Sequence, residues 1–153
     1  MVGQYSSAPT HRAVPRHAGD NGEVKRIDPA RGEAALRAAL RDAEVPESHH
    51  DAVTHHNLLT AVRWTLGLLA ERHPGHGVEV RVPPAGAVQV LEGPAHRRGT
   101  PPNVVETTPG TWIALAAGRL SWDDALHRGL VAASGIRADL SGCLPVVTLE
   151  EAE

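Results

Sequence analysis

The residues of this chain that could do chemistry are its histidines, one cysteine and a pair of arginines. Ten histidines are present, and His49, His50, His55 and His56 lie close together. A helical zinc site needs ligands three or four residues apart on one face. His49 and His56 are seven apart, about 10 Å along a helix axis, and His50 and His55 point in different directions. No metal site is expected from this group. His55 falls on the side of Leu59, Val62 and Leu66, so the spacing predicts a partly buried, hydrogen-bonded ring.

Cys143 sits in "SGCLP" with His127 and Asp139 available elsewhere in the chain, but no nucleophile elbow surrounds it. A buried small thiol is the expectation. Ser134, in "ASG", lacks the glycine two residues earlier that an elbow requires. Asp123 and Asp124 fall in the first turn of a helix, where the dipole favours carboxylates without any catalytic role. No Walker or Gly-x-Gly-x-x-Gly pattern is present. The chain therefore reads as a non-enzyme with no cofactor. The loop from Glu92 to Glu106 leaves two alternatives open. Arg97, Arg98 and Asn103 form a polar rim for an anionic head group, held in place by prolines that lower the entropy lost on ordering. Or the loop is a stiff crossover whose arginines pair with nearby acids.

These residues must be positioned by a single domain, since 153 residues suffice for one core and not for two. Only 3% of the residues are aromatic and none is Phe, so Val, Leu and Ala must supply the interior. A net charge of −3 gives no general attraction to nucleic acid or to an anionic membrane. The longest apolar run falls far short of the ~20 residues that span a bilayer, and one cysteine allows no internal disulfide. A soluble, cytoplasmic protein without stable membrane insertion is expected. Lys25 is the only lysine; with abundant Ala and Gly, this reads as the bias of a GC-rich genome.

Residues 1–26 show no periodicity and read as a disordered tail. Asp28 and Pro29 start a helix bearing Leu36 and Leu40. Ser48 is expected to cap a longer one, where Leu58, Val62, Leu66 and Leu69 make the buried stripe. "GVEVRVP" and "GAVQVLEG" alternate with period two and pair as a hairpin, and "NVVETT" is a further strand. Thr108 and Ser121 cap two short helices closed by Gly118 and Gly129. "LVAAS" is a strand, "IRADLSGCL" a final helical turn or two, and residues 148–153 an acidic tail. This order makes the chain α+β.

The stretch "IALAAGRLSWDDALHRGLVAASG" resembles the sterol carrier protein signature. An apolar helix ends in Gly118-Arg119-Leu120, a second short helix follows, and a glycine-bounded strand runs from Gly129 to Gly135. With "RGTPPNVVE", the chain is similar over residues 27–147 to a compact bacterial branch of sterol carrier-like proteins. The resemblance implies a mainly antiparallel sheet of four or five strands, helices over one face, and an apolar tunnel between sheet and helices for sterols, acyl chains or similar lipids. The chain departs from the family in its apolar, unusually small Leu130–Ser134 strand and in having no Phe.

Two functional classes follow. One is carriage of a lipid or other apolar small molecule. Its lining would be Trp112, Leu115, Ala116, Trp122, Leu126, Leu140 and Leu144, facing Val80, Val88, Val90 and Val104. Small residues (Ala116, Ala117, Ala132, Ala133) would leave volume there. The other is a protein-interaction module on the same fold, in which those alanines serve only close packing.

Overall fold

The computed structural model describes residues 26–94 and 101–151. Helix α1 spans Pro29–Asp42 and starts where expected: Pro29 occupies the first turn and the Asp28 carboxylate accepts from Arg31 N at 3.1 Å. Helix α2 spans Ala52–Arg72, and its cap is Asp51, not Ser48. The Asp51 Oδ1 accepts from both Val53 N and Thr54 N at 2.9 Å, satisfying two of the free amides of the first turn. Ser48 belongs to a separate 3-10 turn, Glu47–His49. His50 Nε2 donates to the carbonyls of Asp42 (2.9 Å) and Val45 (3.1 Å), closing the end of α1.

Four strands follow: β1 (Val78–Val82), β2 (Gly86–Val90), β3 (Val104–Thr107) and β4 (Val131–Ser134). The sheet order is β2-β1-β3-β4. β1 with β2 and β3 with β4 are antiparallel, as in the expected pattern, whereas β1 with β3 is parallel. The sheet is thus mixed. β2 ends beside the start of β1, with Val90 opposite Val78, and β3 begins at the same end on the other side of β1, with Val104 opposite Glu79, so the central pair runs parallel.

Helices cover one face. Val78, Val80, Val82, Val90 and Val105 point inward with at most 1% exposure, into the core they share with the helices; α2 packs on β2 and on α3 (Pro109–Ala116), and α1 packs on α2. Glu79 and Arg81 form an ion pair on the opposite face. α3 and α4 (Trp122–His127) are brief because each ends in the same device. Gly118 and Gly129 take left-handed φ values of 74° and 66°. The following amides, Arg119 N and Leu130 N, reach back to Ala114 O (2.8 Å) and Ala125 O (2.9 Å), the six-residue closure of a Schellman motif. "IRADLSGCL" forms less helix than its composition suggests, only a 3-10 turn at Ser141–Cys143.

Candidate functional site

The two short helices are fixed in different ways, which decides what each tryptophan can do. Thr108 and Ser121 cap them, accepting from Thr111 N at 3.4 Å and Asp124 N at 3.1 Å. Trp112, on α3, is fully buried. Its Nε1 donates to Thr65 Oγ1 at 2.9 Å, and that hydroxyl donates to Ala61 O at 2.8 Å. The indole is thereby locked to α2, with its polar edge satisfied inside the core. Trp122 starts α4; it belongs to the same core, at 5% exposure, and also lines a cleft.

That cleft has a volume of about 340 Å³ and lies between α3, α4 and the chain around residues 141–145. Leu115, Leu120, Trp122, Leu144 and Pro145 form its apolar walls, and Ser121, Asp123 and Ser141 its polar margin. A second cleft, of about 430 Å³, adjoins it across Gly118 and Pro145, which line both. Its walls include Arg37, Arg41 and Arg119 with residues Thr148–Glu151. The pair thus places apolar surface beside guanidinium groups. Among the described residues no group of histidine, cysteine and carboxylate side chains could hold a metal ion.

Helices packed on one face of a four-stranded sheet make the α+β architecture that the resemblance implies, but no strand residue lines either cleft, so neither is the expected tunnel between sheet and helices. Residues 54–146, more than half of the chain, match the family model described as bacterial SCP ortholog. The chain belongs to this sterol carrier protein-like bacterial family. No curated protein is a match to it.

Within this bacterial family fold, the residues expected to line a site are divided among several places. Leu115, Trp122 and Leu144 come together at the first cleft. Trp112, Ala116, Leu140, Val80 and Val90 are fully buried in the main core cluster, with Val88 half-buried against it. Leu126 lies on the outer side of α4 with 39% exposure, so it faces solvent. Val104 pairs with Glu79 and Ser134, whereas Val105 pairs with Val80. Successive strand residues point to opposite faces, so Val104 is buried on the far side of the sheet and Val105 takes the inner position. Ala132 and Ala133 are exposed on the edge strand β4, whereas Ala116 and Ala117 form the C-terminal end of α3, the first buried and the second half-buried.

Asn103 does not present its amide at a rim. It is 4% exposed; its Nδ2 donates to Gly77 O and its Oδ1 accepts from Arg137 N, both at 3.0 Å. Gly135 fits against it only because it lacks a side chain: a Cβ there would stand 2.2 Å from Pro102 O. Arg97 and Arg98, like the tail at residues 1–25, lie outside the described residues. His55 is exposed, one step off the buried stripe of α2. Cys143 is buried, and that burial, with the nearby Asp139 carboxylate, pushes its thiol pKa up. Such a thiol is a poor nucleophile.

Sequence reasoning missed Leu120, Pro145 and the arginines of the second cleft. Arg37 and Arg41 are four apart on α1, a spacing that places them on one helix face. That signal was available. What it could not disclose is that the chain after Pro145 crosses the same face.

Proposed function

We propose that this protein binds an apolar small molecule or a single acyl chain, without chemically altering it, in the cleft bounded by Leu115, Leu120, Trp122 and Leu144. The observation that carries the reading is the cleft itself, at about 340 Å³; small-molecule sites run from about 300 to 1,000 Å³ with mainly apolar linings. Membership of the family supports the same ligand class. The driving force is removal of hydrocarbon from water, about 0.8 kcal/mol for each methylene fully buried. No helix among the described residues is long and apolar enough to cross a membrane, which accords with pick-up of single molecules by a carrier.

Trp122 is the natural reporter. Titration with oleyl alcohol should change tryptophan emission and saturate at one equivalent. Trp122→Phe should remove most of the signal while calorimetry still registers binding. Leu144→Glu, checked for folding by circular dichroism, should weaken binding at least tenfold by setting a carboxylate in the apolar wall. An absence of both optical response and heat would sink the proposal.

One observation favours a second reading, a protein-docking module. The edge strand β4 exposes Ala132, Ala133 and Ser134, and Ile136 just beyond it is fully exposed. Unpaired strand edges and bare aliphatics are places where partners add. On that reading Ile136→Asp abolishes capture of a specific protein partner and leaves oleyl alcohol binding intact.

A further inference from the structure

The two edges of the sheet are not equally protected. β2 lies at one edge, and α2 packs on it. Pro83 and Pro84 precede it, and Arg63 Nε donates to the carbonyl of Ala85, beside its first residue, at 3.0 Å. Prolines and a cationic side chain at a strand edge discourage a further strand from adding. β4 lies at the other edge and has neither. From Gly129 to Ile136 the chain carries no proline and no charged residue. Ala132, Ala133, Ser134 and Ile136 are all exposed. Shortness is the one safeguard, at four residues, and it limits the strength of an added contact without forbidding it.

The helical layer also stops short of this edge. Ala133 pairs with Val105, so it shares the helix-covered face. Val131, on the same face, is buried, whereas Ala133 is not. Another strand meets no helix above it at Ala133.

We propose that β4 pairs with β4 of a second copy of this chain, antiparallel about a twofold axis, so that two four-stranded sheets run on as one. This pairing names the occupant of the edge on which the docking reading rests, and it is independent of the apolar cleft. Charge selects a copy over a foreign strand. A twofold axis sets one surface against itself, which a charged edge would oppose by repulsion between identical residues. A neutral edge of small side chains allows it. On a chain of net charge −3, that neutral stretch is where two copies meet with least repulsion.

The register follows from the faces. An axis perpendicular to the sheet keeps every side chain on its own face, so it passes through a residue and not between two. Centred on Ala133, it sets Ala132 opposite Ser134 and carries the fully exposed Ile136 towards Leu130 of the other copy. Centred on Ala132, it would carry Ile136 towards an arginine, Arg128. The first covers aliphatic with aliphatic, so Ala133 is the residue that meets itself. Arg137 stays clear of the contact: it lies against Gly93, where an added Cβ would stand 3.6 Å from its Cδ, on the side of β2.

Sedimentation velocity from about 1 μM to about 500 μM, the range in which weak dimers form, tests the pairing. The full chain should pass reversibly from monomer to dimer. Ala133→Lys and Ala133→Glu, each shown to be folded by circular dichroism, should weaken dimerisation at least about tenfold, because each sets like charges on the axis. Mixed in equal amounts, the two should restore a dimer of one copy of each, a rescue that no defect of the monomer predicts. A chain that stays monomeric at the highest concentration overturns the proposal and leaves the edge to a different protein. A dimer that both single variants retain overturns it too, as does a mixture that stays monomeric. Oleyl alcohol binding, measured on the same samples, reports on the cleft separately: its absence sinks the carrier reading and leaves the pairing standing.

Discussion

The Asn103 amide shows how much one side chain can hold together. Its two hydrogen bonds join the residue before β1, the residue before β3 and the loop after β4. The backbone carbonyl of Asn103 also accepts from Glu79 N at 3.0 Å. Replacing Asn103 by Ala strands a buried carbonyl and an amide together, and leaving a buried polar group unpaired costs about 1–3 kcal/mol. A lowered urea midpoint with an unchanged slope is the expected result. Asn103→Asp should be no better at neutral pH, because it loses the donor and buries a charge. An unaltered midpoint in both variants would return Asn103 to the solvent-facing rim that its loop context suggests. Nothing within ten residues of Asn103 reveals its partners, since Gly77 and Arg137 stand 26 and 34 positions away. This is why the residue type was legible as important and its job was not.

Elements meet through similarly specific fits, and two glycines in helices make the point with opposite signs. Gly32 lies in α1 under the ring of Trp64, where an added Cβ would come within 2.2 Å of Cγ. Gly67 lies in α2, and a Cβ there would meet nothing within 4 Å. Helix propensity alone says that both should prefer alanine, by about 0.5–1 kcal/mol. The packing decides otherwise: Gly67→Ala should raise the melting temperature, and Gly32→Ala should lower it, by about 1–3 kcal/mol of overpacking. If both substitutions stabilise, α1 does not sit on α2 as described. Capping and closure of α3 and α4 were legible because Thr108, Ser121, Gly118 and Gly129 act within six residues of the groups they satisfy. The parallel pairing of β1 with β3 was not, because it depends on β3 taking the free side of β1 beside the end of β2. The same limit put Val104 on the wrong face: parity within a strand is local, but which parity points inward is set by neighbours.

For the whole molecule, acid and alkali should act through different parts of the chain. Asp51 and Asp139 both titrate below the ordinary carboxylate range. Asp51 is held down chiefly by the backbone hydrogen bond from Thr54, and Asp139 by the one from Ser141. A carboxylate whose pKa is depressed on folding stabilises the fold above its unfolded pKa, near 3.8, and that stabilisation is lost as pH falls through the folded value. Cys143 shifts the other way, so its contribution is complete below its unfolded pKa, near 9.0, and is lost as pH rises beyond it. Stability should therefore form a plateau through neutral pH, with an acid limb belonging to the start of α2 and the Ser141 turn, and an alkaline limb belonging to the thiol. Thermal unfolding between pH 3 and pH 10 checks the assignment. Asp51→Asn and Asp139→Asn keep an acceptor without a titrating proton and should flatten the acid limb; Cys143→Ala should flatten the alkaline limb alone. The Ser141 turn also borders the apolar cleft. Acid that releases Asp139 should therefore weaken oleyl alcohol binding before the molecule unfolds, and Asp139→Asn should carry that binding unchanged to lower pH. A loss of binding that tracks global unfolding in both proteins would separate the turn from the site.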